Sequence, residues 1–168
     1  SVSQAAALRG VEATEIYNTV SDAHESCRPY SGNFVDIAAG QGLTYPLLAT
    51  DDVHYYDRTD TTCSYIMLAC APDATDTELL QAIREMRFYA TQGPEVHLDI
   101  VGDEAVARCS PAARITLFTN RVWGRGHSVR GENLTEHRAK LDPTETFIRA
   151  EVTDANGKMA WSNPISLK

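Results

Sequence analysis

Asp52 and His54 are the residues of this chain whose types and spacing come closest to doing chemistry. They lie two apart in Ala49-Thr50-Asp51-Asp52-Val53-His54, directly after the apolar run Tyr45-Pro-Leu-Leu-Ala49. In extended chain, residues i and i+2 point to the same side. A carboxylate oxygen and an imidazole nitrogen could then reach one ion, and this donor pair suits zinc, manganese or iron. The other reading is a solvated loop in which Asp52 caps a turn and His54 is incidental. Asp51 would point the opposite way, either holding a ligand in place from behind or facing solvent.

Other candidates are weaker. Asp22, His24, Glu25 and Cys27 cluster in the polar stretch Thr19–Gly32, where a solvated loop is a better reading than a second metal site. His97 alternates with apolar neighbours and belongs on the outer face of a strand. Arg121, Arg125 and Arg130, with His127, make one loop locally basic; a charged surface loop is favoured over an anion site. Trp123 and Trp161 could stack on a sugar, but Trp161 sits in a strand pattern and is expected in the core. Sequence signatures of nucleophilic serines, phosphate-cradling loops and dinucleotide folds are absent.

Composition narrows the classes. The chain has 168 residues, 43% hydrophobic and 23% charged, enough for one domain or two small ones. A net charge of −8 argues against a general nucleic-acid binder. A phosphorylated small molecule stays open as a substrate, because a bound metal can reverse the local field. No apolar run is long enough to span a bilayer, so no membrane partner is expected. The four cysteines lack a C-x-x-C pair. Four unpaired, mostly buried thiols in a reducing compartment are expected, hence a cytoplasmic location; a Cys63–Cys70 disulfide has only proximity in its favour.

The elements that must position Asp52 and His54 come from periodicity and punctuation. Strands are expected over Val11–Asn18, Tyr45–Ala49 and Ser64–Cys70. A helix is expected over Phe34–Ala39, capped by Asn33 and ended by Gly40 and Gly42. Thr75–Met86 is the clearest helix: Thr75 and Glu78 form a capping box, and Leu79, Ala82, Ile83 and Met86 share a face. This half reads as α/β. After Gly93-Pro94 the pattern turns to strands: a hairpin over Glu95–Cys109, then Arg114–Thr119, Thr146–Thr153, Lys158–Ser162 and an edge strand at Pro164–Leu167. Asn120–Thr135 reads as a polar loop with room for a short strand. Residues 1–93 are thus an α/β part and residues 94–168 a small β-sandwich-like domain.

Several stretches together carry a resemblance. Glu15-Ile-Tyr-Asn18, Leu48-Ala-Thr-Asp-Asp-Val-His54, Arg87-Phe-Tyr-Ala-Thr-Gln-Gly-Pro94, Arg149-Ala-Glu-Val-Thr-Asp154 and Gly157-Lys-Met-Ala-Trp-Ser-Asn-Pro164 resemble the C-terminal part of PHP-family (polymerase and histidinol phosphatase) metal-dependent phosphoesterases with an appended β-rich domain. The resemblance implies that residues 1–93 are the last portion of a distorted (β/α)7 barrel. It implies that Asp52 and His54 are ligands to divalent metal ions (zinc, manganese or iron) and that the parent protein is a hydrolase acting on a phosphorylated small molecule.

The family's opening His-x-His is missing, and the chain starts at Ser1 rather than Met. The expectation is therefore a fragment, or a natural remnant, that binds metal weakly and turns over little. The alternative is a non-catalytic binding or interaction module built on the β-rich half. A truncated barrel would also expose apolar strand edges and favour homo-oligomers.

Overall fold

The computed structural model describes residues 1–8, 10–23, 26–54 and 60–168. Helix α1 (Val2–Ala7) is short, closed by a Ser1–Gln4 capping box, and buries none of its residues. Strands β1 (Thr14–Asn18) and β2 (Leu47–Thr50) follow as a parallel pair, Thr14 opposite Leu47 and Asn18 opposite Thr50. Parallel neighbours need a crossover, and here it carries α2 (Thr19–Ala23) and α3 (Gly32–Gly40). α3 covers the expected Phe34–Ala39 but starts earlier: its N-cap is Ser31, with no side-chain cap bond, and the expected cap Asn33 lies inside the helix; Gly42 follows in the left-handed region at φ 83°. Ile16, Val35, Leu47 and Ala49 bury the inner face of this unit.

The rest is one antiparallel system of β3 (Tyr65–Leu68), β4 (Phe88–Thr91), β5 (Val96–Val101), β6 (Glu104–Thr119), β7 (Ser128–Lys140), β8 (Phe147–Thr153), β9 (Met159–Ser162) and β10 (Ile165–Ser166). Between β3 and β4 lies α4 (Asp76–Arg84), whose Thr75–Glu78 capping box is formed as expected. The strand order is β3-β4-β9-β8-β6-β5, with β7 on β6 and β10 on β8.

This topology corrects the barrel expectation. A (β/α)7 barrel is built from successive parallel strands. Among the described residues the only parallel pairing is β1 with β2; β3 pairs antiparallel with β4, and β4 pairs antiparallel with β9. Residues 1–93 are therefore not the end of a PHP barrel, and the chain is β-rich. Short apolar runs such as Ser64–Cys70 look the same whichever way the neighbouring strand points, so hydrophobic pattern alone could not set strand direction.

β6 explains the sandwich-like character. Its first half pairs with β5 and its second half with β8, in succession, while β7 follows its other edge. Register shifts between Arg108 and Arg114 separate the halves, and such bulges bend a strand. β5 consequently packs against β8 and β9. The core between these layers holds Val96, Ala107, Ile115, Ile148, Ala150 and Val152.

β8 is buried on both faces. Ile148, Ala150 and Val152 enter the core just described, while Phe147, Arg149 and Glu151 point toward the βαβ unit. Trp161, fully buried on neighbouring β9, stacks on Tyr17 at 5.4 Å and Tyr30 at 6.3 Å. The two halves thus share β8 and β9 as a common floor.

Candidate functional site

The carboxyl ends of the parallel pair bring together Asn18, Asp51, Asp52 and His54. Asn18 closes β1 and is 9% exposed. Its Oδ1 accepts from the Ser21 amide at 2.9 Å, as a capping residue does for the helix that follows. Its Nδ2 donates to Asp52 Oδ2 at 3.1 Å and to both Glu15 oxygens at 3.2 and 3.3 Å. Thr50 also donates to Glu15. One buried amide therefore ties a carboxylate from β1 to the carboxylate just after β2.

Asp52 sits at φ 52°, a left-handed conformation that non-glycine residues adopt sparingly, aspartate more readily than most. This turn replaces the extended geometry expected for Asp52-Val53-His54. Its effect is to bring the Asp52 carbonyl oxygen within 2.5 Å of His54 Nδ1, with Asp52 Oδ1 3.9 Å from the same nitrogen. A carbonyl oxygen can only accept, so Nδ1 is the donor in this contact, and in the neutral ring the lone pair is then on Nε2. The side chains of His54 and Asp52 are 60% and 49% exposed, open to an ion from solvent.

A divalent metal fits these two residues by donor chemistry: Asp52 Oδ1 is a hard oxygen, and His54 Nε2 is an imidazole nitrogen whose partner nitrogen is already fixed. Among the described residues no group of three or more His, Cys, Asp or Glu is arranged to hold a metal. His24 and Glu25, the other candidate ligands, lie outside the described residues. Asp22 accepts a hydrogen bond from the Tyr17 hydroxyl at 3.0 Å; burial and this bond push the Tyr17 phenol up from its ordinary value. Cys27 is exposed.

Asp51 does not face solvent idly. Its Oδ1 accepts from the backbone amides of Cys63 at 3.0 Å and Ser64 at 2.8 Å. Ser64 Oγ accepts in turn from Thr19 Oγ1 at 2.7 Å. Asp60, fully buried, accepts the His54 amide at 2.8 Å. Sequence reasoning missed Asn18 and Asp60 as parts of this site. Asn18 could have been suspected from its place at a strand end before a helix; Asp60 carries no such local signal.

The remaining candidates lie apart. His97 is exposed on β5 and meets Tyr89 edge-on at 5.4 Å. Arg121 pairs with Asp142, and His127 is buried with Nε2 3.4 Å from the fully buried Glu145. Trp161 is core while Trp123 is 88% exposed, so the two tryptophans form no common sugar platform. None of the four cysteines is in a disulfide, and against the expectation of mostly buried thiols Cys27 and Cys70 are exposed while Cys63 and Cys109 are half-buried.

Comparison with protein-family models, curated proteins and solved structures finds no match to this chain. No helix among the described residues is long and apolar enough to cross a membrane.

Proposed function

We propose that this chain carries part of a divalent-metal centre for phosphoester hydrolysis, with Asp52 and His54 as two of its ligands. The observation that supports it most is the turn at Asp52: one exposed carboxylate, held by Asn18, stands beside an exposed imidazole whose Nδ1 is engaged. Carboxyl ends of parallel strands are a recurrent place for ligands. The resemblance to PHP-type phosphoesterases agrees with this donor pair and supplies the reaction class. A bound divalent ion would supply an acidified water and polarise a phosphoryl oxygen. The chain's own part is positional: Asn18 orients Asp52, the Asp52 carbonyl orients His54, and Asp60 holds the His54 backbone.

The test is a Mn2+ titration followed by electron paramagnetic resonance. Saturable binding is expected in the weak range, about 10⁻⁴ to 10⁻³ M, and it is lost in Asp52→Ala and His54→Ala with folding retained. Hydrolysis of an aryl phosphate should be slow, because two protein ligands leave an ion mostly aquated. Absence of saturation by Mn2+, Zn2+ and Fe2+ sinks the reading.

A second reading, a non-catalytic interaction module, draws on Val122 and Trp123, which stand 89% and 88% exposed between β6 and β7. It expects Trp123→Ala to leave Mn2+ binding untouched.

A further inference from the structure

Two carboxylates beside the Asp52 turn accept backbone amides. Asp51 Oδ1 accepts two consecutive amides, Cys63 and Ser64, at 3.0 and 2.8 Å. Asp60 accepts the amide of His54 at 2.8 Å. The two are linked, because Asp60 lies three residues before Cys63. Holding Cys63 and Ser64 against the end of β2 delivers the Asp60 carboxylate to the His54 backbone. The anchorage extends further: Val20 N donates to Asp51 O at 3.2 Å, and Thr19 Oγ1 donates to Ser64 Oγ at 2.7 Å. Asp51 therefore joins β2, the start of α2 and the entry to β3.

We infer that Asp51 is the positioning residue of this centre: it clamps the Cys63–Ser64 backbone so that Asp52 keeps its left-handed turn and His54 presents Nε2. The inference rests on the proposed metal reading for its functional meaning, but its structural content stands apart from it. A left-handed aspartate costs energy relative to an extended one. The turn persists because bonds on both sides of it over-determine the backbone: Asn18 to the Asp52 carboxylate, Asp51 to the 63–64 amides, and Asp60 to the His54 amide. Of these, Asp51 is the one that holds the distant strand. A carboxylate taking two amides makes charge-assisted bonds, which are stronger than neutral ones. Without it the amides of Cys63 and Ser64 lose their acceptor. The His54 backbone is then free to relax, and the Asp52 carbonyl no longer sets which imidazole nitrogen carries the proton.

The experiment compares wild type with Asp51→Ala, Asp51→Asn and Asp51→Glu by two readouts. The first is Mn2+ affinity from electron paramagnetic resonance. The second is the His54 tautomer from nitrogen-15 NMR of the metal-free protein. Asp51→Ala is expected to weaken Mn2+ binding by about 10- to 100-fold, the range seen when groups behind metal ligands are removed. It should also turn the single Nδ1-protonated tautomer of His54 into a mixture. Asp51→Asn keeps an acceptor oxygen in place and should stay within about threefold of wild type, under one kcal/mol. Asp51→Glu keeps the charge but moves the acceptor by one methylene; it should behave like Asp51→Ala, and it decides the matter if the alanine variant does not fold. Unchanged Mn2+ affinity and an unchanged tautomer in Asp51→Ala or Asp51→Glu overturn the inference. If wild type binds no Mn2+, the metal reading alone fails, and the tautomer of the variants still decides whether Asp51 positions His54.

Discussion

Arg149 of β8 and Asp36 of α3 meet side by side, Nε 2.6 Å and Nη2 2.9 Å from the two carboxylate oxygens. The guanidinium is completely buried and also lies 4.3 Å above the Phe118 ring. Glu151 and the Tyr30 hydroxyl complete its surroundings. Burial alone would lower the arginine's pKa; the hydrogen bonds to Asp36 and the nearby negative charges outweigh it, and the net shift is upward. Asp36→Ala should therefore lower unfolding stability by about 3–5 kcal/mol, the cost of leaving a buried charge without its main partner. Replacing Arg149 and Asp36 together by apolar residues should cost less than that single change. Urea midpoints of the two variants check the order.

Tyr30 gives an alkaline signature. Although Tyr30 is 41% exposed as a residue, desolvation around its hydroxyl raises the phenol well above the ordinary tyrosine range; Arg149 opposes this, and the Glu151 charge and hydrogen bond add to it. Tyr17 and Tyr89 are also raised, in each case chiefly by burial. A raised folded-state pKa means that the unfolded chain releases its proton first. The stabilisation is whole below the ordinary value of 10.0 and is lost as pH climbs from there toward the raised value. Tyr30→Phe should flatten the fall in stability above about pH 10, as read by denaturant midpoints across pH.

The two tryptophans should be spectroscopically distinct. Trp161 is fully buried against Tyr17 and Tyr30, whereas Trp123 is 88% exposed. Trp123→Phe should remove the red-shifted, iodide-quenchable emission and leave stability within about 0.5 kcal/mol. Trp161→Ala should remove the blue component and cost about 3–5 kcal/mol.

The cap of α4 can be tested alone. Thr75 Oγ1 accepts from the Glu78 amide, and the Thr75 amide donates to Glu78 Oε2 at 2.7 Å. Thr75→Ala should cost about 1 kcal/mol. The Thr75 backbone and hydroxyl bonds hold the Glu78 carboxyl below its ordinary 4.5. That contribution is present above 4.5 and disappears as pH falls through the lowered value. Thr75→Ala should thus lose less stability on acidification than wild type.

Local signals carried much of this fold. The α4 capping box, the hairpin over Glu95–Cys109 and the strand over Thr146–Thr153 were legible because each rests on neighbours in sequence. β7 was not, since it is mostly exposed and pairs along β6 through its backbone, without an apolar face to mark it. β6 reads as two strands, because Pro111 and the register shifts interrupt its alternation. At the site, Asp52 and His54 stood out by type alone. Asn18 and Asp60 did not, as their roles depend on contacts made across the fold.

β4 lies between β3 and β9, with Tyr89 opposite both Met67 and Ser162. Its two edges are therefore completed by segments made at very different moments of translation. A ribosome releasing this chain presents β3 and β4 some seventy residues before β9. Until then the β3–β4 pair keeps an open edge, and Tyr17 lacks the indole on which it stacks. Closing so distant a pairing is entropically slow. The first half should thus reach its native form only once β9 has emerged, and nascent chains halted before Met159 should remain protease-sensitive through β4.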